Sequence, residues 1–578
     1  MKIRGYLAEK KPSQDLIFGL LFAAAAVFAL WKCPFGYISD DAFYLTIPHR
    51  LSMGDVLFAD EWHVSQMAGL ITTPLVWLYR TVTGSTDGIL LAARYVYVAF
   101  HALVSLFFYL RTREYGFFSI AASLSWFLFT PYDIMALSYN TMAMDLILVS
   151  GLLLAAFERQ WCWALSGVCL AGAVLCCPYF AAAYFLYAAG VGVRAFVVRL
   201  NSSEKDPNGG ILSPRRLLWL TVGTAAIAAL FLLYILCTCG VRGVLDNLPY
   251  ILSDPEHQGI SPLAKLQNAW YHLIHCHPLF QYVLAGFLVL LLVLLADRGR
   301  KDRRGIYLAA ACLLSLAGYA LFWSEAVNTY YNAIMLPMLF PGLAAFLLCR
   351  QRPWKLFVPL FLGGIVYAVA VTLGSNNFFY AISMAGAVTN AASLLFVGRL
   401  LQEMAAEHAR APWLFRSALS AAALTAAVLL AVQVRVKALH CFMDDSPPAL
   451  TCRLQSGPAR GIRTTEYRAG VYERLNGELR VYKTLPRGKL LILNERSWCC
   501  LSADPMEYAT FSGWISGENQ AALDRLECYY QLNPGKVPDY IFLSKNSLFD
   551  DPESILETAQ SHGYTLTESG FSYYLERK

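Results

Sequence analysis

Apolar residues dominate the first three quarters of the chain, in stretches of about 16 to 24 positions separated by short polar turns. A membrane-crossing helix needs roughly 20 apolar residues, because the hydrocarbon core is about 30 Å thick. The pattern predicts about 13 transmembrane helices, over 15–33, 89–110, 117–132, 140–157, 162–177, 179–198, 217–240, 279–296, 306–323, 333–349, 355–373, 378–398 and 413–434. After residue 435 the pattern changes. Short apolar runs at 489–493 and 539–543 read as buried strands, and 518–533 and 552–562 read as amphipathic helices. Residues 564–568 and 571–576 read as a closing hairpin around Ser569-Gly570.

Composition sharpens this division. Of 578 residues, 57 % are hydrophobic and 15 % charged, against roughly 25 % charged in an average soluble protein. Mean hydropathy is +0.46. These values exclude a disordered protein, a coiled coil and an ordinary cytosolic enzyme. Charged residues make up about 12 % of residues 1–435 and about 24 % of residues 436–578. The chain therefore reads as a transmembrane domain, 1–435, followed by a soluble α/β domain, 436–578. The net charge of +6 does not point to nucleic acid, because the basic residues sit in short runs beside apolar segments, as topology signals do.

Lys and Arg collect in cytoplasmic loops. Lys2, Arg4, Lys10 and Lys11 place the N-terminus in the cytoplasm. With thirteen spans, six further loops rich in Arg and Lys fall on that same side. The expectation is a multi-pass protein of a bacterial-type plasma membrane, with residues 34–88, 241–278, 324–332, 374–377 and the C-terminal domain extracytoplasmic. The first span lacks a small-x-small cleavage site before Trp31-Lys32-Cys33, so it reads as an uncleaved span rather than a signal peptide.

The first outer loop, 34–88, carries the most distinctive chemistry. Asp40 and Asp41 stand side by side just beyond the first span, and Asp60-Glu61-Trp62-His63 follows about 20 residues later. A carboxylate beside hydrocarbon is costly to desolvate and is normally paired or used. It can serve as a general base for an acceptor hydroxyl, or it can cap the helix that Ser39-Asp40-Asp41 opens. Residues 67–83 are apolar but contain Pro74 and Arg80. They read as a helix lying at the membrane interface, with Arg80 reaching water.

This layout resembles the GT-C superfamily of membrane glycosyltransferases, in particular the branch of protein O-mannosyltransferases and the lipid A aminoarabinose transferase. The resemblance rests on the acidic pair after span one with Tyr44 three residues beyond, on the long outer loop with interfacial helices, and on about thirteen spans before an outer soluble domain. It implies a sugar donor linked to polyprenyl phosphate and an envelope acceptor (glycan, lipid or protein) on the outer face. The family's first-loop Asp maps onto Asp40. Asp41 stands where the family often has Glu, which leaves open which carboxylate is the base. An inverting displacement without a covalent enzyme intermediate is implied, so positioning, deprotonation and stabilisation of the leaving phosphate remain as the protein's tasks.

Tyr44, Glu61, His63, Asn140, Lys265, Tyr330, Tyr331 and Asn376 are the candidate substrate-binding residues, because each falls on the predicted outer side. Lys265 or Arg242 could hold the donor phosphate. No cofactor is expected. Acids of the first loop could bind a divalent ion, but no clear metal motif is present, and His272, His275 and His277 read as interfacial polar residues. Of five cysteines in the C-terminal region, Cys441 and Cys452 are the candidate disulfide. A lipid-linked glycan transporter and a non-catalytic glycan-assembly subunit are the alternatives. The first predicts internal repeats and charged mid-span residues, which are sparse; the second predicts loss of the first-loop acids, which are present.

Overall fold

The computed structural model describes residues 12–37, 39–200, 210–253, 260–298, 302–323, 333–375, 378–407, 412–493, 495–512, 520–545 and 553–577. The structure is mostly helical, with a sheet confined to the C-terminal region. Among the described residues, eight helices are long and apolar enough to cross a membrane. They are Ser13–Lys32, Ile89–Tyr115, Tyr139–Ala156, Pro178–Arg199, Pro214–Cys237, Arg304–Phe322, Trp354–Gly374 and Pro412–Leu439. Each coincides with a predicted span, and the chain is a multi-pass membrane protein.

The other predicted spans are helical in a different way. Phe117–Leu128 and Gln160–Cys176 are apolar but short, as is Ala333–Leu348. Phe280–Ala296 is bent by 97° from Pro262–His275; His277-Pro278 sits at the break, where proline cannot continue a helix. Phe378–Ala405 continues well past the predicted end at 398.

Close packing and partnered charges join these helices. Gln160–Cys176 and Pro214–Cys237 cross at Gly167 and Gly223, where a Cβ on either would overlap a backbone oxygen of the other helix. Asp145, fully buried within a span, accepts from Trp126 Nε1 at 2.9 Å and from His101 Nδ1 at 2.9 Å. A carboxylate at that depth survives because it is partnered. Beyond the spans, Asp133 is bridged by Lys32 at 3.3 Å and Lys437 at 3.1 Å, which ties the ends of the first and last spans to the turn after Phe117–Leu128.

Loops predicted to share a side do meet. Arg216 pairs with Glu158 at 2.7 Å, Arg304 with Glu407 at 2.6 Å, and Arg350 with Glu407 at 3.0 Å, all among the loops read as inner. On the other side, Trp62 of the first loop is fully buried against Tyr250 of helix Gly240–Leu252 and against Phe511 and Tyr529 of the C-terminal region.

The C-terminal sheet has five strands in the order Glu507–Tyr508, Lys489–Leu493, Tyr540–Ser544, Ser572–Arg577, Tyr564–Glu568. The first three pair in parallel and the rest antiparallel. The strands, the closing hairpin and the helices Gln520–Leu532 and Glu553–Ser561 lie where the apolar runs place them. The Cys441–Cys452 disulfide does not form: all fifteen cysteines are free, and Cys441 accepts from Lys32 Nζ at 3.3 Å.

The first loop and the sheet region share one polar core. Fully buried Arg50 donates to Glu61 Oε2 at 2.8 Å and to Asp55 Oδ2 at 2.7 Å. Glu61 also accepts from the Ser512 backbone N–H at 3.0 Å. Lys536 reaches back to Asp60 at 3.7 Å. Removing one partner of a buried ion pair costs about 3–5 kcal/mol, since the other charge is left uncompensated. Glu61→Ala should therefore lower stability by about 3 kcal/mol and expose the C-terminal region to protease. A thermal melt and limited proteolysis of the purified protein check both.

Candidate active site

The site begins with a turn held by one guanidinium. Arg94 lies in the first turns of helix Ile89–Thr112 and is buried. Its Nε donates to Asp41 Oδ2 at 2.7 Å. Its Nη1 donates to the carbonyls of Cys33 at 2.8 Å and Phe35 at 3.0 Å, and its Nη2 to the carbonyl of Gly36 at 2.7 Å. The chain thus turns around Arg94 as it leaves the first span. Gly36 has φ +81°, and a Cβ there would approach Cys441 Cβ to 3.1 Å, so a larger residue would be both strained and crowded.

Helix Asp41–Ser52 starts directly after this turn. Asp40 occupies its N-cap position, yet its side chain makes no capping bond. Among the described residues, no hydrogen bond or ion pair holds its carboxylate. The adjacent acids therefore differ in kind. Asp41 is buried and neutralised by Arg94, whereas Asp40 is half-buried and unengaged. Burial pushes the Asp40 carboxyl up to about 6; the Asp41 charge adds to this and the Arg496 guanidinium opposes it. Such a carboxyl, ionised near neutral pH but basic for its type, suits proton abstraction.

Aromatic rings wall the site. Tyr44 meets Tyr139 edge-on, with ring centroids 5.5 Å apart, and hydrogen-bonds it. The Asp40 charge is close enough to act on the Tyr139 hydroxyl. Phe43 meets the His63 ring edge-on at 4.8 Å, and His63 Nδ1 accepts from the Ser65 backbone N–H at 3.1 Å. Beside Tyr44 runs a groove of about 400 Å³, lined mainly by carbon from Leu45, Leu75, Leu78, Tyr79, Val82 and Val96.

The remaining predicted residues are distributed differently. Glu61 is fully buried and its oxygens are taken by Arg50, Ser512 and the His63 backbone N–H. Asn140 is buried beside Tyr139, and its backbone carbonyl accepts from the Tyr367 hydroxyl at 3.3 Å. Lys265 lies on helix Pro262–His275 and donates to the Leu373 carbonyl at 3.2 Å. None of its described contacts reaches Asp40. Arg242 points to solvent and sits 3.6 Å from Asp246. Arg80 does not end in water; its Nη2 donates to Asp504 of the C-terminal region at 2.6 Å. Tyr330, Tyr331 and Asn376 lie outside the described residues. Among the described residues, no group of three or more His, Cys, Asp or Glu is placed to hold a metal ion.

Three residues of the cluster stood outside the candidate site residues read from the sequence. Arg94 had a usable signal, since a lone Arg near the start of an apolar span demands a partner. Tyr139 resembles any belt aromatic. Arg496 is brought in by the fold of the C-terminal region and has no local signature.

The raised Asp40 carboxyl also predicts a stability effect. An unfolded Asp titrates near 3.9, so the folded protein binds this proton more tightly. Stability from this group is greatest below about pH 4, falls as pH rises to about 6, and stays lowered above that. Asp40→Asn should therefore raise stability at pH 7 by about 1–2 kcal/mol, after allowing for partial exposure, with no gain at pH 4. Denaturant melts at the two pH values measure this.

No protein-family model and no curated protein matches the chain. Among solved structures it is similar to the archaeal oligosaccharyltransferase AglB from Archaeoglobus fulgidus, solved in complex with an inhibitory peptide and a dolichol-phosphate. The identity is 13 % and the TM-score 0.41, over 91 % of this chain and 69 % of that one.

Proposed function

We propose that the protein is a membrane glycosyltransferase of thirteen spans. It transfers a sugar from a polyprenyl-phosphate donor to an envelope acceptor on the outer face of a bacterial-type plasma membrane. The N-terminus is then cytoplasmic, and the first loop and C-terminal domain face outward. The observation that carries this reading is the split environment of the two acids. A half-buried carboxylate with a raised pKa, unpartnered among the described residues, costs stability and caps nothing, so use in proton transfer accounts for it best.

In this reading Asp40 takes the proton of the acceptor hydroxyl. The acceptor oxygen forms its bond to the anomeric carbon as the bond from that carbon to the phosphate oxygen breaks. The electron pair leaves with the polyprenyl phosphate. Arg496, whose charge already reaches Asp40, is placed to offset the growing phosphate charge. Arg94 and Asp41 are positioning residues. The carbon-lined groove beside Tyr44 suits a prenyl chain, and Tyr44 and Tyr139 frame the sugar. His63, Asn140 and Lys265 remain candidate binding residues further out, as do Tyr330, Tyr331 and Asn376.

The test uses purified protein in lipid with a panel of polyprenyl-phosphate sugars and envelope extract as acceptor. Wild type should consume one donor, and Asp40→Asn should slow this at least about 100-fold while remaining folded. The rate should rise with pH up to about 6 and level off above, because the base must be ionised. Donor binding without consumption by wild type would favour a transporter or accessory subunit. Loss confined to Asp41→Asn would reverse the roles of the two acids.

A further inference from the structure

Helix Gly69–Thr83 presents two unlike faces to two unlike cavities. At 3.6 residues per turn, Leu75, Leu78, Tyr79 and Val82 share the face that lines the apolar groove. Trp77, Arg80 and Thr81 lie on the opposite face, one helical turn and less apart. They line a second cleft of about 490 Å³, closed on its far side by Lys483 and Asp504 of the C-terminal region and at one end by Ser52. The contacts here are polar. Arg80 donates to Ser52 Oγ at 3.1 Å and to Asp504 at 2.6 Å, and Asp504 also faces His49 Nε2 at 3.3 Å. Lys483 is 3.8 Å from Asp87 and keeps its ammonium partly exposed. Trp77 is 55 % exposed.

We infer that this cleft binds the glycan of the acceptor. A sugar ring has one carbon-bound face that lies on an indole and an edge of hydroxyls that need both donors and acceptors. Trp77 offers the first. The fixed guanidinium–carboxylate pair of Arg80 and Asp504, with Thr81, Ser52 and Lys483, offers the second. A purely anionic ligand fits less well, since Asp504 sits inside the cleft.

The cleft also bears on acceptor length, an argument that rests on Asp40 being the base. Helix Asp41–Ser52 has Asp40 at its start and Ser52 in the cleft. Its 12 residues at 1.5 Å each span about 18 Å. An acceptor whose hydroxyl meets Asp40 while its other units fill the cleft must be a chain of several sugars, rather than a lone lipid headgroup.

The experiment reads binding directly. The full-length protein is held in lipid nanodiscs, and the probe is end-labelled glycan released from the envelope of the source cells and fractionated by length. Wild type should bind saturably, and longer fractions should bind more tightly. Trp77→Ala, and Thr81→Trp which fills the cleft, should each weaken binding about tenfold or more and remove the length preference, with unchanged melting. Equal binding in wild type and both variants, or no saturable binding by wild type, overturns the proposal. A bilayer-anchoring role for Trp77 would appear as unchanged glycan binding. Donor consumption by wild type separates the two readings: glycan binding with no donor consumed sinks the transferase but keeps the cleft, and transfer without length preference does the reverse.

Discussion

The arrangement around the first loop depends on how Arg94 is satisfied. A guanidinium buried at the edge of an apolar bundle needs an anion and carbonyls within reach. Asp41 and the three carbonyls of Cys33, Phe35 and Gly36 meet that need. In doing so they set the path of the chain out of the first span. They also make the two adjacent acids inequivalent. One is spent on charge neutralisation, and its neighbour is left half-buried, without a partner among the described residues, at the start of a helix it does not cap.

The same loop doubles as core for the C-terminal region. Arg50, Glu61 and Trp62 are fully buried, yet they belong to a loop between membrane helices. Glu61 and Trp62 find partners more than 400 positions away, in Ser512 and Phe511. The sheet region therefore rests on the first loop through buried polar and aromatic contacts, and the Asp40 turn is braced from both sides. Arg496 is carried into range of Asp40 by that packing.

Helix Gly69–Thr83 divides the surroundings by chemistry. Its apolar face borders a groove that reaches Tyr44, and its polar face borders the cleft closed by Asp504. An amphiphilic substrate set, with a lipid-linked donor and a saccharide acceptor, matches this division on the proposed reading. Both cavities adjoin helix Asp41–Ser52, which runs from the proposed base to the cleft.

What the sequence determined by itself is what short-range patterning controls. Span positions follow from runs of apolar residues, which must be satisfied as helices in lipid. The sheet strands follow from 489–493 and 539–543, and the shared sides of the loops follow from Arg and Lys bias. That the first-loop acids need a partner or a use was legible because carboxylates beside hydrocarbon are costly. Tertiary structure alone decided which acid is neutralised, because Arg94 is 53 positions from Asp41 and its need for a partner does not say which acid meets it. It alone decided that Glu61 is a buried tie, that Lys265 sits on a helix-end carbonyl, and that Arg80 meets Asp504. Each depends on a long-range partner, and a charged residue reads the same in sequence whether it faces water, substrate or a counter-ion.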